Sequence, residues 1–143
     1  MKTSEKQLHD FVVDWYRKLD RHVPLTELLP LVSAGDLTMK FPEATLRSQA
    51  EFAGWYDKVT HRFFDEVHTV KSVGVRMNGG KADLDVVVNW QARVWDAPEA
   101  ASKGLNFDSG QHWIVSEESS TGQPVIVVYD VKSLTPLPGS APL

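Results

Sequence analysis

The sequence predicts an α+β protein in which a long, bent antiparallel sheet wraps around N-terminal helices. Two observations predict this fold. In the first 63 residues, apolar side chains recur at helical spacing in two stretches. From Phe64 to about Thr135 the spacing changes to the two-residue period of β-strands. Helices followed by strands are typical of a domain whose helices pack on one face of an antiparallel sheet.

Composition limits the class of protein. A chain of 143 residues has the length of one domain, here predicted to span residues 1–143. The net charge of −4 and the absence of any Lys/Arg run argue against a nucleic-acid partner. Cysteine is absent, so no disulfide or thiolate chemistry is expected. No stretch reads as a signal peptide or a membrane span, so we expect a cytoplasmic protein without a membrane partner.

The first helix is predicted to begin at a capping box formed by Ser4 and Gln7. It runs to about Asp20, because apolar side chains then recur every three or four residues. These side chains form one face of the helix: Leu8, Phe11, Val12, Trp15 and Leu19.

Three further elements precede the main sheet. A second, short helix is predicted over His22–Val32, since proline suits its first turn and a later proline limits its length. A short strand, LTMKF, ends at Pro42. Ser48 and Glu51 form another capping box, which opens an amphipathic helix. That helix carries a dense aromatic stripe: Phe52, Trp55, Tyr56, Val59 and Phe63.

The longest strand is predicted over Ala82–Asp96, and every second residue separates its two faces. Fifteen residues far exceed the usual strand length of about five or six, so the strand must curve. The turn Asn78-Gly79-Gly80 joins it to a preceding strand, Phe64–Met77. One face is apolar, comprising Ala82, Leu84, Val86, Val88, Trp90, Ala92 and Val94.

The apolar residues of the preceding strand change phase midway, which predicts a β-bulge. One extra residue near Lys71-Ser72 returns all of them to one face. The bulge then pairs Val70 with Val88 and His68 with Trp90. Bulges increase local curvature, so the phase change agrees with the bend that the long strand requires.

The last two strands, Leu105–Ser116 and Pro124–Thr135, are predicted to form a second hairpin. We pair Val115 with Val125 because odd-numbered residues of the first of these strands are the more apolar ones. The Pro/Gly-rich tail, residues 134–143, is expected to pack against the rest of the chain.

The inward face of the last strand is left open. The pairing above places Tyr129 inside and Asp130 outside. Ile126 and Val128 are apolar too, so the opposite parity would bring Asp130 inside, where it could pair with His68.

Several short motifs, in order and spacing, resemble the nuclear transport factor 2-like, or SnoaL-like, domains. In such domains the sheet forms a cone around the helices and encloses a pocket. The family includes isomerases, cyclases, dehydratases, hydrolases and members without catalysis, so the resemblance implies a fold and no single activity. The motifs are Trp15-Tyr16, TMKFP, Trp55-Tyr56, F-x-D-x-x-H from Phe63 to His68, Gly79-Gly80-Lys81-Ala82, W-x-V from Trp113 to Val115, and Tyr129-x-Val131.

The ketosteroid isomerase branch of this family uses three residues that the sequence lacks. The branch has a tyrosine on the first helix, a base aspartate before the turn proline and an acid aspartate in the next-to-last strand. Alignment by eye places Trp15, Phe41 and Gln111 there. None of these can exchange a proton usefully near neutral pH. That mechanism is therefore not expected, and whether the protein is an enzyme is left open.

The predicted pocket would bind a small apolar or aromatic molecule. Its one candidate catalytic residue is His68, because imidazole can act as a base or orient a ligand near neutral pH. The alternative is a structural histidine bonded to a backbone carbonyl or to Tyr129. A buried Gln111 without a partner would cost about 1–3 kcal/mol, so it should be bonded or face a wet cavity. The predicted ligand-binding residues are Trp15, Phe41, Trp55, His68, Trp90, Gln111, Trp113 and Tyr129.

No metal site and no cofactor are expected from the sequence. The other four histidines, which lie in charged or loop contexts, are predicted to be at the surface and show no ligand spacing: His9, His22, His61 and His112.

Two functions of different classes follow. The first is a pocket protein that binds a small apolar or aromatic molecule. If it is an enzyme, it is a cofactor-independent isomerase, cyclase, dehydratase or hydrolase that depends on His68. The second is a non-catalytic association module that forms a homodimer through the outer sheet face. That face would carry Val87, Asn89, Gln91, Arg93 and Trp95.

Overall fold

The computed structural model describes residues 1–143 and confirms the α+β class, with N-terminal helices packed on a curved sheet. The elements are α1 (Glu5–Asp20), β1 (Thr38–Lys40), β2 (Thr45–Leu46), α2 (Gln49–Arg62), β3 (Phe63–Asn78), β4 (Lys81–Val94), β5 (Lys103–Glu117) and β6 (Pro124–Pro136). The strands form one sheet in the order β2-β1-β6-β5-β4-β3. Pairing is antiparallel except between β1 and β6, which run parallel, so the sheet is mixed and open.

The caps of both helices follow from the sequence. Ser4 Oγ accepts a hydrogen bond from the backbone of Gln7, and Gln7 Oε1 accepts one from the backbone of Ser4, as in a capping box. Ser48 likewise caps α2 through the backbone N–H of Glu51. The carboxylate of Glu51 instead accepts from the backbone of Arg47, so the second box is not reciprocal.

The prediction of a helix over His22–Val32 is wrong. The segment forms two single 3₁₀ turns, Leu25–Glu27 and Leu29–Leu31. Pro30 has no backbone N–H to donate and its ring crowds the preceding turn, so it prevents a continuous helix there.

The bulge between β3 and β4 is confirmed. Val70 pairs with Val88 and Ser72 with Val87, which leaves Lys71 as the extra residue. His68 consequently lies opposite Trp90, as predicted. A second irregularity, between Phe64 and Val67, was not predicted, and there Asp65 has a positive φ of 50°.

The predicted register of the last hairpin is wrong by one residue. Val115 pairs with Ile126 and Ser116 with Val125, so the offset is already present next to the turn. A bulge at Val127 then adds a second residue of offset, which pairs Trp113 with Tyr129. The predicted parity is nevertheless correct further along the strand, where Tyr129 is buried on the inner face. The Asp130 carboxylate is bonded to Lys132 instead.

The tail after β6 continues along β5. The backbone N–H of Leu137 donates to Asn106 O, and that of Ala141 donates to Gly104 O, each at 2.9 Å. The last two residues reach the mouth of the internal cavity. No helix of the protein combines the length and the apolar character that crossing a bilayer demands.

The predicted outer face is only partly exposed. Val87 and Trp95 are 38% and 50% exposed. Trp95, however, lies just beyond the end of β4. Asn89 is buried, and its amide donates hydrogen bonds to the side chains of Asn106 and Asp108.

Candidate functional site

A cavity of about 660 Å³ opens between α2 and the inner faces of the long strands. This volume is within the range of about 300–1,000 Å³ that small-molecule sites occupy. Six of the eight predicted ligand-binding residues line it: Phe41, Trp55, His68, Trp90, Gln111 and Tyr129. Trp15 and Trp113 do not line it, and at 1% and 0% exposure they lie in the core behind its wall.

A histidine–carboxylate pair stands at the inner wall. Nδ1 of His68 lies 2.5 Å from Oδ1 of Asp20, the last residue of α1. The backbone N–H of His68 donates to the other oxygen of the same carboxylate, at 2.7 Å. Because an ionised carboxylate only accepts hydrogen bonds, the imidazole donates from Nδ1. Asp20 therefore fixes both the orientation and the tautomer of His68.

The second ring nitrogen of His68 is available to a ligand. Nε2 makes no hydrogen bond within the protein. It is not sealed in the core, so a ligand can reach it. With the proton on Nδ1, Nε2 carries a lone pair. The ring is nearly parallel to that of Tyr16, with centroids 4.5 Å apart, so it is packed firmly in place.

Gln111 is fully bonded on its oxygen. Tyr16 OH donates to Oε1 at 2.8 Å and the indole of Trp113 donates to it at 2.9 Å. An indole N–H can only donate, so this end of the amide is the oxygen. The amide nitrogen donates to Ser109 Oγ at 2.9 Å. Gln111 thus has the partners that its burial requires.

Two hydrogen-bond donors in this network remain unused. Ser109 Oγ accepts from Gln111, and its own hydrogen goes to no protein acceptor. The second N–H of the Gln111 amide is likewise without a protein acceptor. Both residues lie on β5, two positions apart, and both line the cavity. They form a donor pair that could hold a carbonyl oxygen or an oxyanion.

Two buried tyrosines support Gln111: Tyr129 lines the cavity and Tyr16 lies behind the wall. The hydroxyls of Tyr16 and Tyr129 are 2.9 Å apart, and since Tyr16 donates to Gln111, Tyr129 donates to Tyr16. Burial raises the pKa of Tyr129 to about 12 and that of Tyr16 well above its usual value. Both phenols therefore stay protonated near neutral pH and hold Gln111 in place.

Sequence reasoning missed Asp20 and Tyr16. The comparison with the isomerase branch placed Trp15 at the first-helix tyrosine, whereas Tyr16, one residue later, is the side chain that reaches Gln111. Asp20 was predicted only as the approximate end of the first helix. Its place at the last turn, 48 residues from His68, carries no local pattern that indicates the pair.

A second histidine–carboxylate pair lies beside the first. Nε2 of His22 is 2.5 Å from Oε2 of Glu66, and Glu66 lines the cavity. His22 and His112, both predicted at the surface, are instead half-buried, with 28% and 26% of their side chains exposed. The four side chains pair crosswise, with Asp20 on His68 and His22 on Glu66, and no three acidic or histidine side chains converge as a metal site would require.

A second depression, of about 750 Å³, runs between β6 and the tail and meets the cavity at Pro42, Val131, Leu134, Pro142 and Leu143. Lys132 is its one charged side chain. It therefore lacks the acid–base groups that the first cavity has.

Solved structures share this fold. A nuclear transport factor 2-like superfamily protein from Salmonella enterica is 14% identical, with a TM-score of 0.73 over 96% of this chain and 91% of that one. The hexachlorocyclohexane dehydrochlorinase LinA-type3 from Novosphingobium barchaimii is 12% identical, with a TM-score of 0.73 over 95% and 91%. The CaMKII hub from S. rosetta is 11% identical, with a TM-score of 0.63 over 92% and 95%.

No family model and no curated protein matches the sequence. The protein has the nuclear transport factor 2-like fold, as the sequence motifs predicted, and similarity at this level shows the fold alone.

Proposed function

We propose that the protein is a cofactor-independent enzyme that removes a proton next to the carbonyl of a small aromatic or apolar molecule, in a dehydratase-type elimination. The observation that carries the proposal is the His68–Asp20 pair, whose free Nε2 opens into the cavity. An imidazole oriented by a carboxylate is a recurrent general base in enzymes.

The base acts through one nitrogen. His68 Nε2 accepts the proton from the carbon next to the carbonyl, and the imidazolium that forms is stabilised by Asp20 at Nδ1. The electron pair left on carbon moves toward the carbonyl oxygen. The bond from Nδ1 to Asp20 holds the ring in this orientation, and the backbone N–H of His68 in turn holds the Asp20 carboxylate beside it.

The donor pair on β5 stabilises the charge that develops. Ser109 Oγ–H and the free N–H of Gln111 would bond the carbonyl oxygen, which becomes an enolate oxygen as the proton leaves. Gln111 cannot swing away, since Tyr16 and Trp113 hold its oxygen. Ser109 and Gln111 thus stabilise the negative charge on the enolate oxygen, a role for which no acidic residue was predicted.

The ring-lined cavity supports an aromatic or apolar substrate. Phe41 and Trp55 stack with centroids 4.2 Å apart and line one side, and Trp90 lines another. An elimination also agrees with the name of one protein of this fold, the dehydrochlorinase, which denotes loss of hydrogen chloride.

We expect the protein to catalyse exchange of the α-protons of 2-tetralone, an aromatic ketone that tests the base without a leaving group. The measurement is deuterium incorporation from D₂O, followed by NMR. His68→Ala should lower the exchange rate about 100-fold or more, since positioned general bases contribute roughly 10²–10⁴-fold. His61→Ala, which changes an exposed histidine on α2, serves as the control. Exchange by the unmutated protein no faster than in buffer would contradict the proposal.

The second candidate function is the association module. It is favoured by exposure of Val87 at the centre of the outer face and of Trp95 at its end, and by the CaMKII hub, a protein of this fold whose name denotes an assembly part. We expect a homodimer in sedimentation equilibrium. Val87→Asp should weaken it about tenfold or more, because a charge would be buried at the interface. A monomer at high concentration of the unmutated protein would exclude this candidate.

A further inference from the structure

We propose that Glu66, supported by His22, is the second catalytic group of the same pocket and delivers the proton that the leaving hydroxyl needs. This inference rests on the proposed function and assigns its other half-reaction. An elimination of water requires a base for carbon and an acid for oxygen. His68 serves the first need, and nothing described above serves the second.

The position of Glu66 fits that role. Its side chain is 11% exposed and lines the cavity on the same strand as His68. The indole N–H of Trp90 donates to Oε1 at 3.0 Å, and His22 Nε2 lies 2.5 Å from Oε2. Trp90 itself pairs with His68 across the strands. The base and the carboxyl group thus both lie next to one indole, with Glu66 bonded to its N–H and the His68 ring 6.3 Å from its centroid.

The other titratable groups that line the cavity are bonded elsewhere or lie at its exposed rim. Tyr56 donates to the backbone oxygen of Val23, and Lys58 is an exposed residue of α2. The hydroxyl of Tyr129 donates a hydrogen bond to that of Tyr16, so its hydrogen is already used. Arg62 is bonded to Asp96. Glu43 contacts an indole, that of Trp55, but no histidine supports it. Glu66 is therefore the one carboxyl group of the wall that has an imidazole as a proton partner.

Unfavourable backbone conformations on both sides bring the pair together. His22 has φ 48° at the end of α1, a left-handed position where glycine is usual. Asp65, just before Glu66, has φ 50° within the irregular pairing of β3. A left-handed backbone is unfavourable for any residue other than glycine, and such residues cluster at functional sites. The imidazole explains why a histidine is placed where glycine would be more stable.

The step balances as follows. His68 Nε2 takes the α-proton, the electron pair forms the carbon–carbon double bond, and the β-carbon–oxygen bond breaks. Glu66 gives the proton of its carboxyl group to the departing oxygen, which leaves as water. The carboxylate that remains is bonded by His22 Nε2–H and by the Trp90 indole. Exchange with solvent returns a proton to Glu66 and removes one from His68.

The test separates the two halves of the reaction. The substrate is 3-hydroxy-1-tetralone, which gives fluorescent 1-naphthol when water is lost. Glu66→Gln should slow naphthol formation about 100-fold or more while α-proton exchange changes less than about threefold. With 3-acetoxy-1-tetralone, whose acetate leaves without a proton, elimination by Glu66→Gln should return to within about threefold of the unmutated rate.

Two matched variants exclude a structural effect. Asp57→Asn changes an exposed carboxylate on α2 that does not line the cavity, and it should leave both rates unchanged. His22→Gly favours the left-handed backbone, which offsets the lost bond to Glu66, so the variant should remain folded by circular dichroism. Loss of water should nevertheless slow about tenfold or more.

Equal slowing of both leaving groups in Glu66→Gln, or unchanged naphthol formation in that variant, would overturn the assignment of Glu66. Absence of His68-dependent α-proton exchange in the unmutated protein would overturn the proposed function itself.

Discussion

Replacement of Asp20 by asparagine is expected to lower α-proton abstraction by about two to four orders of magnitude, almost as much as loss of His68. The carboxylate now accepts two hydrogen bonds from His68, one from the ring and one from the backbone. An amide has only one acceptor oxygen, so its NH₂ group must face one of these donors. When it faces Nδ1, the ring proton moves to Nε2, and the base loses its lone pair toward the cavity. Deuterium exchange of 2-tetralone measures the effect.

Asp14→Asn is the control for this prediction. Asp14 lies on the same helix and pairs with Lys18 at the surface, so its loss should not alter exchange. Circular dichroism should show both variants folded. Full exchange activity in Asp20→Asn would mean that His68 works without its carboxylate, or that it is not the base.

Trp113→Ala is expected to lower the free energy of unfolding by about 3–5 kcal/mol. The indole is fully buried and its ring centroid lies within 6.5 Å of the rings of Phe11, Trp15, Tyr16 and Tyr129. Truncation would leave a large cavity at the centre of this cluster and remove a hydrogen bond to Gln111. Urea denaturation monitored by circular dichroism gives the change.

Trp113→Phe separates packing from hydrogen bonding at that position. It retains an aromatic ring but loses the indole donor, so we expect a smaller loss of about 1–2 kcal/mol. Gln111 Oε1 keeps the bond from Tyr16. Equal losses in both variants would show that the hydrogen bond, and not the volume of the ring, dominates the contribution of Trp113.

The position of His68 could be predicted because the apolar residues on either side of the bulge, Val70 before it and Val73 after it, are both expected to face the core. The phase change between Val70 and Val73 has one economical explanation, a bulge, and that bulge fixes which residue lies opposite Trp90. The same reasoning failed at β6. Residues 125–128 are all apolar, so their sequence does not show which of them face inward. The bulge at Val127 could therefore not be located.

Asp20 and the His22–Glu66 pair could not be found in this way. Their contacts depend on where the end of α1 meets β3, and the paired residues are 48 and 44 positions apart in the chain. The alternation of side chains along a strand also predicts which face a residue occupies, but not how deeply it is buried. Trp15 and Trp113 face inward as expected, but they lie beneath the wall that Gln111 and Tyr129 form.

The bulge at Lys71 has an evolutionary consequence. Because Lys71 is the extra residue, a deletion of that single codon would leave Val70 opposite Val88 and His68 opposite Trp90. The strand would lose part of its bend, while every side chain kept its face. Descendants of this gene could therefore reshape the cavity for a different molecule by gaining or losing one codon, without relocating the residues that act on it.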